Sequence, residues 1–160
     1  MLIKIWNNLE EYILVPSFVF TVAIVFFQII MRYVFRNSLS WSEELVRYIF
    51  LWQIWLGASF AVKAQRHLRI EAIKSILPGK YKDYSEILTL VIWLGFSLFL
   101  VYKGTELTQI LMRRGQVSPA MRIPMYYPYA SVPVGCSLMS IRIIEKIVEV
   151  VKTLRKEGIA

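Results

Sequence analysis

Long stretches without any charged side chain alternate along this chain with short stretches that carry almost all of its charge. The uncharged stretches cover residues 13–31, 48–62, 87–102 and 123–141. A helix needs roughly 20 predominantly apolar residues to cross the hydrocarbon of a bilayer. Two stretches reach this length and the other two reach it with a turn of flanking sequence, so the pattern predicts four membrane-spanning helices.

The predicted fold is an all-α integral membrane protein with one four-helix membrane domain over residues 1–160. We expect the spans at approximately 12–33, 42–63, 84–105 and 122–142. Apolar residues recur at helical spacing before the first span and after the fourth, which indicates short amphipathic extensions at both ends. The fourth span contains Pro124, Pro128 and Pro133, which predicts a bent or locally unwound helix.

The composition agrees with a membrane class, because 57% of the residues are hydrophobic. The formal net charge of +8 comes from cations at the ends of apolar stretches, the placement typical of membrane proteins rather than of nucleic-acid binding. With four crossings, 12 of the 19 Lys and Arg residues lie on the side that holds both termini and the loop 63–82. The positive-inside rule therefore predicts that this side is cytoplasmic.

The residues that catalysis or cofactor binding would need are missing from the pattern. The single histidine, His67, lies in a loop, and the single cysteine, Cys136, lies inside an apolar stretch without a nearby metal-ligand pattern. No Asp or Glu falls within the hydrocarbon part of a predicted span, so a carboxylate proton relay is not expected. We therefore expect no enzymatic activity, no metal and no cofactor in this chain.

Arg47 is the one ionisable residue well within a predicted span, and a charge in a membrane is a functional-site hypothesis. Glu43 and Glu44 lie one turn away, so the favoured interpretation is a structural ion pair at helical spacing. A contact with a partner or a substrate is the alternative. The segment from Ser40 to Glu43 also fits a capping box, which predicts that the second helix begins there.

Aromatic and small side chains suggest helix packing. Trp52 and Trp55 lie near mid-membrane, away from the interfaces where Trp is usually found, and small residues four apart allow close helix approach. The sequence leaves open whether these positions pack inside the chain or against a partner. The candidate structural or partner-interface residues are Trp41, Glu43, Glu44, Arg47, Trp52, Trp55, Gly57, Ala61, Ser131 and Gly135.

Three motifs in register carry a family resemblance. The first motif is RY at 32–33, followed by LSWSEE at 39–44 and LGA at 56–58. The second is HLRIE at 67–71 with LP at 77–78. The third is SPAMRIP at 118–124 with YASVPVG at 129–135. Together they resemble the small membrane subunit of tripartite ATP-independent periplasmic (TRAP) transporters, the DctQ-like family. The resemblance covers nearly the whole chain.

The resemblance implies a scaffold role in a sodium-driven symporter that imports an organic acid across the bacterial inner membrane. It implies a large DctM-like membrane subunit, which holds the substrate and Na⁺ sites and moves as an elevator, and a periplasmic DctP-like binding protein. It also implies four helices with both termini in the cytoplasm. The outward cations Arg32, Arg36, Arg113 and Arg114 are then candidates for docking the binding protein, with simple marking of helix ends as the alternative.

Two other functions remain open at this stage. The chain is alternatively a membrane anchor subunit of another inner-membrane complex, or a small self-sufficient transporter that works as an oligomer. The identity of the transported acid does not follow from the sequence, because the resemblance places the substrate pocket in the large subunit.

Overall fold

A computed structural model describes residues 2–64 and 81–157, and the side chains of residues 11–62 and 86–155 within them. The described part is helical apart from its connections. In chain order the helices are α1 (Leu2–Tyr33), α2 (Ser40–Ala64), α3 (Tyr81–Arg114), the short α4 (Tyr126–Tyr129) and α5 (Ser131–Glu157). The second family motif, at 67–71 and 77–78, lies outside the described residues.

The first three predicted spans each fall inside one helix. Within the described residues, three segments are long and apolar enough to cross a membrane: Glu11–Tyr33, Ser40–Val62 and Glu86–Arg114. The helix α3 has 34 residues, a length of about 51 Å at 1.5 Å per residue, against about 30 Å of hydrocarbon. The prediction of helices that are long and apolar enough to cross is therefore confirmed for the first three spans, and the fourth crossing stays a prediction.

The region of the fourth predicted span is broken rather than continuous. The sequence predicts a helix from about residue 122. In the structure, α4 covers only Tyr126–Tyr129, and the long helix α5 begins at Ser131. Proline lacks the N–H that a helix interior needs, but it is tolerated in the first turn. Pro133 lies in the first turn of α5. The long helix therefore begins where the missing N–H of its proline costs no helical hydrogen bond. The expected local unwinding is thus confirmed, and the expected start was too early.

The helices pack mainly in the spatial order α1, α2, α5, α3, so α5 lies between α2 and α3. Hydrogen bonds tie α1 to α2, since Gln53 Nε2 lies 3.0 Å from Thr21 Oγ1 and 3.2 Å from Ser17 Oγ. The central position of α5 explains why its residues dominate the buried set, which includes Ser131, Cys136, Met139, Ser140, Arg142 and Ile143.

Small residues allow α5 to approach both neighbours closely. A Cβ added to Gly135 would lie 2.5 Å from Trp55 Cβ and 2.9 Å from the Trp55 carbonyl carbon of α2. On the other side, a Cβ added to Gly104 of α3 would lie 3.0 Å from Val132 Cγ1. Such close backbone approach is a common basis of helix association in membranes. Gly135 is therefore a packing residue inside the chain.

A buried polar cluster joins α3 to α5 between these contacts. The hydroxyl oxygens of Ser97 and Ser140 are 2.7 Å apart, and they lie 2.9 and 2.8 Å from the Cys136 carbonyl oxygen. Hydroxyl groups in an apolar setting need such partners, because an unsatisfied donor there is costly. The cluster therefore holds α3 and α5 at one relative depth.

The two glycines singled out from the sequence give a matched test of packing. We expect Gly135→Ala to destabilise the protein by about 1–3 kcal/mol, since the new methyl group overlaps Trp55 and the backbone has to move. Gly57→Ala is the control, because nothing lies within 4 Å of its added Cβ, and it should be neutral or stabilise by up to about 1 kcal/mol through helix propensity. Thermal unfolding of the purified protein in detergent measures both. Equal melting temperatures for the two variants would contradict the described α2–α5 contact.

Candidate partner-binding site

Six arginines collect at one end of the helical assembly, where the connections 34–39 and 115–125 lie. We call it the arginine end, defined by those two connections and by Arg32, Arg36, Arg47, Arg113, Arg114 and Arg122. The start of α2 lies at this end and carries two adjacent carboxylates, Glu43 in the first turn and Glu44 directly after it. Neighbouring residues on a helix point about 100° apart, so the two carboxylates reach different parts of the chain.

Glu43 faces α1. Its Oε1 accepts hydrogen bonds from the Arg32 guanidinium and from Gln28 Nε2, the latter at 2.8 Å. Arg32 and Glu43 also form an ion pair, with 49% and 41% of their side-chain surface exposed. The contact joins the last turns of α1 to the first turn of α2, so it sets the path of the connection 34–39.

Glu44 faces the other connection and is 7% exposed. Its Oε2 accepts hydrogen bonds from the backbone N–H groups of Ala120 and Met121, both at 2.9 Å. Its Oε1 accepts a bond from the Tyr48 hydroxyl, one turn further along α2. Hydrogen bonds to an ionised acceptor are stronger than those between neutral groups. The carboxylate therefore anchors the connection 115–125 to α2.

The connection 115–125 folds as a narrow hairpin above this anchor. The Ser118 N–H donates to the Ile123 carbonyl at 2.9 Å, and Ser118 Oγ accepts from the Ile123 N–H at 3.2 Å. The Met125 N–H donates to the Gln116 carbonyl at 2.8 Å. These bonds bring both strands of the hairpin together and leave residues 119–122 as its tip.

Each connection at the arginine end contains an arginine in the left-handed backbone region. Arg36 has a φ of 52° and Arg122 a φ of 53°. Arg36 follows the end of α1, where the Asn37 N–H donates to the Met31 carbonyl at 3.0 Å, and its left-handed conformation is one that glycine adopts more readily. Both side chains are exposed, so both cations face outward from the fold.

Among the described residues, Arg47 does not form the expected ion pair with Glu43 or Glu44. Glu43 binds Arg32 and Gln28, and Glu44 binds the hairpin and Tyr48. Arg47 is exposed. Its spacing of three and four residues from the two carboxylates allowed the pair, but the tertiary neighbours of those carboxylates are better placed to bind them.

The other predicted positions separate into buried, half-buried and exposed sets. Trp52 and Trp55 are half-buried, and Trp55 packs on Gly135. Ser131 is fully buried, and its hydroxyl donates a hydrogen bond to the Pro128 carbonyl at 2.6 Å. Gly57 and Ala61 are half-buried, and the site of a Gly57 Cβ is open. The exposed positions are Trp41, Arg32, Arg36, Arg113 and Arg114. Of the predicted positions, the structure thus brings Arg32 and Glu43 together, attaches Glu44 to the other connection, and leaves Arg36, Arg113 and Arg114 exposed.

The roles of three residues were not predicted from the sequence. Tyr48 donates to Glu44 and Arg122 has a left-handed backbone, and no local pattern indicates either feature. Arg142 of α5 has only 4% of its side-chain surface exposed and donates to Glu145 Oε2 at 3.0 Å. Arg142 lies at the end of the predicted fourth span, and the central position of α5 buries it.

Across the two described ranges, no group of three or more His, Cys, Asp or Glu side chains is placed to hold a metal ion. The arrangement of fixed backbone and outward guanidinium groups is suited to binding anions.

Comparison with known proteins assigns the family. The DctQ component of tripartite ATP-independent periplasmic transporters matches residues 21–153, which is most of the chain. The chain belongs to the DctQ family. Its relatives are named as transporter subunits and not as enzymes.

Two relatives illustrate the range of DctQ proteins. The sialic acid TRAP transporter small permease protein SiaQ of Vibrio cholerae is 32% identical over 160 residues, covering 96% of this chain and 88% of the relative. The isethionate TRAP transporter permease protein DctMQ of Oleidesulfovibrio alaskensis is 28% identical over 144 residues, covering 86% of this chain. This chain spans only 23% of that longer permease.

If Glu44 holds the hairpin tip of this DctQ chain in place, its removal should expose the tip to proteolysis. We expect Glu44→Ala to accelerate tryptic cleavage after Arg122 by roughly fivefold or more, because the tip loses the acceptor of two backbone hydrogen bonds and opens more often. Glu44→Gln keeps one acceptor oxygen and should lie between Glu44→Ala and the unsubstituted protein. Limited proteolysis of the purified protein with mass spectrometry measures the rate.

Glu43→Gln is the matched control, since its carboxylate faces α1 instead of the hairpin. This variant should leave cleavage after Arg122 unchanged. Equal acceleration in the Glu43 and Glu44 variants would show that the two carboxylates do not have separate roles.

Proposed function

We propose that this chain is the small scaffold subunit of a TRAP-type secondary transporter that imports an organic acid across the bacterial inner membrane. The observation that carries the proposal is the family match over residues 21–153. In this proposal a large permease holds the substrate and Na⁺ sites, and a periplasmic protein brings the substrate. The relative named DctMQ supports the association with a large permease, since the region similar to this chain forms 23% of a single permease protein.

The layered packing supports a scaffold role. Because the main contacts run through neighbours in the order α1, α2, α5, α3, the outer two helices keep wide apolar surfaces, with Phe18, Phe26, Phe96 and Phe99 among their exposed side chains. The inner contacts are close and partly hydrogen-bonded, as between Ser97 and Ser140. A rigid layer with apolar faces can lie in lipid on one side and brace a moving permease on the other.

We propose that α5 provides the fourth crossing and that both termini are cytoplasmic. Three contacts along α3 support an antiparallel course at the same depth: Gly104 lies against Val132, Ser97 bonds to Ser140, and the Lys146 ammonium lies 3.9 Å from Glu86 Oε1. Residues 86–104 rise about 27 Å, close to the thickness of the hydrocarbon. Flanking by α2 and α3 also explains how α5 tolerates its serines there.

We propose further that the arginine end faces the periplasm and docks the binding protein. Arg36, Arg113 and Arg114 are exposed there, and an acidic surface of a binding protein would be attracted to them. Arg32 differs from these three because its guanidinium already binds Glu43. We therefore assign Arg32 mainly to the structure of the arginine end and the other three to docking.

Deleting this chain tests the scaffold role. In cells that produce the large permease and the binding protein, we expect substrate uptake to be lost without the chain and restored when it is supplied from a second copy. The chain should also copurify with the large permease in detergent. Full uptake in its absence, or flux through liposomes that contain only this chain, would contradict the proposed role.

Cysteine labelling tests the orientation. The only native thiol, Cys136, is buried, so single cysteines can be introduced at exposed Gln116 and exposed Thr153. A membrane-impermeant maleimide should label Gln116→Cys in cells whose outer membrane is made permeable, and Thr153→Cys only after the inner membrane is opened. The unsubstituted protein is the control for background labelling. The reverse result would invert the topology and rule out docking at the arginine end.

A further inference from the structure

Arg122 holds an unusual backbone conformation at the tip of the hairpin 115–125. Its φ of 53° lies in the left-handed region, which a side chain with a Cβ atom disfavours and glycine adopts freely. Residues in such conformations persist only where their surroundings determine them, and they cluster at functional sites. Arg122 is therefore a candidate functional residue whose backbone conformation has to be stabilised by its neighbours.

The backbone on both sides of Arg122 is held by hydrogen bonds. The two preceding residues, Ala120 and Met121, donate their N–H groups to Glu44 Oε2, each at 2.9 Å. The next residue, Ile123, bonds to Ser118 through both its carbonyl and its N–H. Four hydrogen bonds to three neighbours thus offset the unfavourable conformation of one residue.

The side chain of Arg122 contributes nothing comparable to the fold. It is exposed, and the structure gives its guanidinium no hydrogen bond or ion pair with any described residue. If the turn alone mattered, glycine would serve it better. A fixed backbone that projects an unengaged guanidinium is instead a preorganised binding group, because less freedom remains to be lost on association.

We propose that Arg122 is a docking residue of this chain for an acidic surface on the substrate-delivering protein, and that Glu44 is the positioning residue that holds it in place. The inference rests on the proposed docking function of the arginine end and adds a residue to it. A guanidinium binds a carboxylate through two parallel hydrogen bonds, which need a defined direction.

The fixed conformation favours a protein partner over a lipid headgroup. A headgroup diffuses and reorients in the bilayer, so an arginine on a mobile backbone would meet it equally well. A carboxylate on a folded protein has a fixed position, and a fixed guanidinium gains from matching it. The exposed Arg113 and Arg114 at the start of the same connection add long-range attraction to the same surface.

The test uses the complete complex of this chain with its large permease in proteoliposomes and varies the concentration of the binding protein. We expect Arg122→Gly to raise the half-saturating concentration by about three- to tenfold, with the maximal uptake rate and the amount of copurified permease unchanged. Its thermal stability should equal or exceed that of the unsubstituted protein, because glycine relieves the left-handed conformation. Arg122→Lys keeps the charge but not the two parallel donors, so it should recover only part of the affinity.

Two further variants separate docking from general effects. Arg155→Ala removes an exposed cation from the last part of α5, at the opposite end, and should leave the saturation curve unchanged. Glu44→Ala should raise the half-saturating concentration as Arg122→Gly does, and the double variant should add little to either. Fully additive effects would overturn the positioning role of Glu44.

Other outcomes overturn the inference in distinguishable ways. A saturation curve for Arg122→Gly that matches the unsubstituted complex removes Arg122 from docking. If the double variant Arg113→Ala, Arg114→Ala shifts the saturation curve while Arg122→Gly does not, only the inference about Arg122 fails. If neither this double variant nor Arg122→Gly shifts the curve, docking at the arginine end fails as well. An effect of Arg122→Gly that appears only in vesicles containing anionic lipid, without a change in dependence on the binding protein, assigns Arg122 to a lipid instead.

Discussion

Two adjacent carboxylates near the start of α2 organise one whole end of this protein. Glu43 binds Arg32 and Gln28 of α1, and Glu44 binds the hairpin that joins α3 to α5. Because successive residues of a helix diverge by about 100°, one turn of α2 reaches both of its neighbours. All the long described helices therefore meet, directly or through a connection, at a single pair of charged side chains.

The interior of the assembly depends on a different kind of contact. Lipid removes the hydrophobic difference between a helix surface and its surroundings, so close backbone approach and hydrogen bonds hold membrane helices together. Close approach occurs where Gly135 lies against Trp55 and where Gly104 lies against Val132. A hydrogen bond joins Ser97 to Ser140. These contacts all involve α5, which is why the least apolar of the long helices can occupy the centre.

The two layers of organisation fit the scaffold role proposed for this chain. The small-residue contacts hold the helices close together, and the outer helices keep exposed apolar faces. The carboxylate pair holds the connections at the arginine end folded, with Arg36 and Arg122 exposed. In the proposal, the subunit contributes by position and shape, and the substrate and ion sites belong to its partners.

The sequence by itself determined the helices, their approximate bounds and the family. Runs of apolar residues are a local signal, and the predicted end of the first span at residue 33 coincides with the end of α1 at Tyr33. The prolines likewise indicated the break before α5, although not its exact length. Three short motifs in register sufficed for the family, since each depends only on residue identity and spacing.

Only the tertiary structure decided which side chains meet. The spacing of Glu43 suited an ion pair with Arg47, but its charged partner, Arg32, comes from the preceding helix. Besides Tyr48, the partners of Glu44 are backbone N–H groups 76 and 77 residues away. Gly57 and Gly135 look alike in the sequence, yet one faces open space and the other the backbone of Trp55. The left-handed turn at Arg122 follows from bonds on its neighbours. Such pairings depend on how whole helices lie against each other, and local spacing carries no information about that.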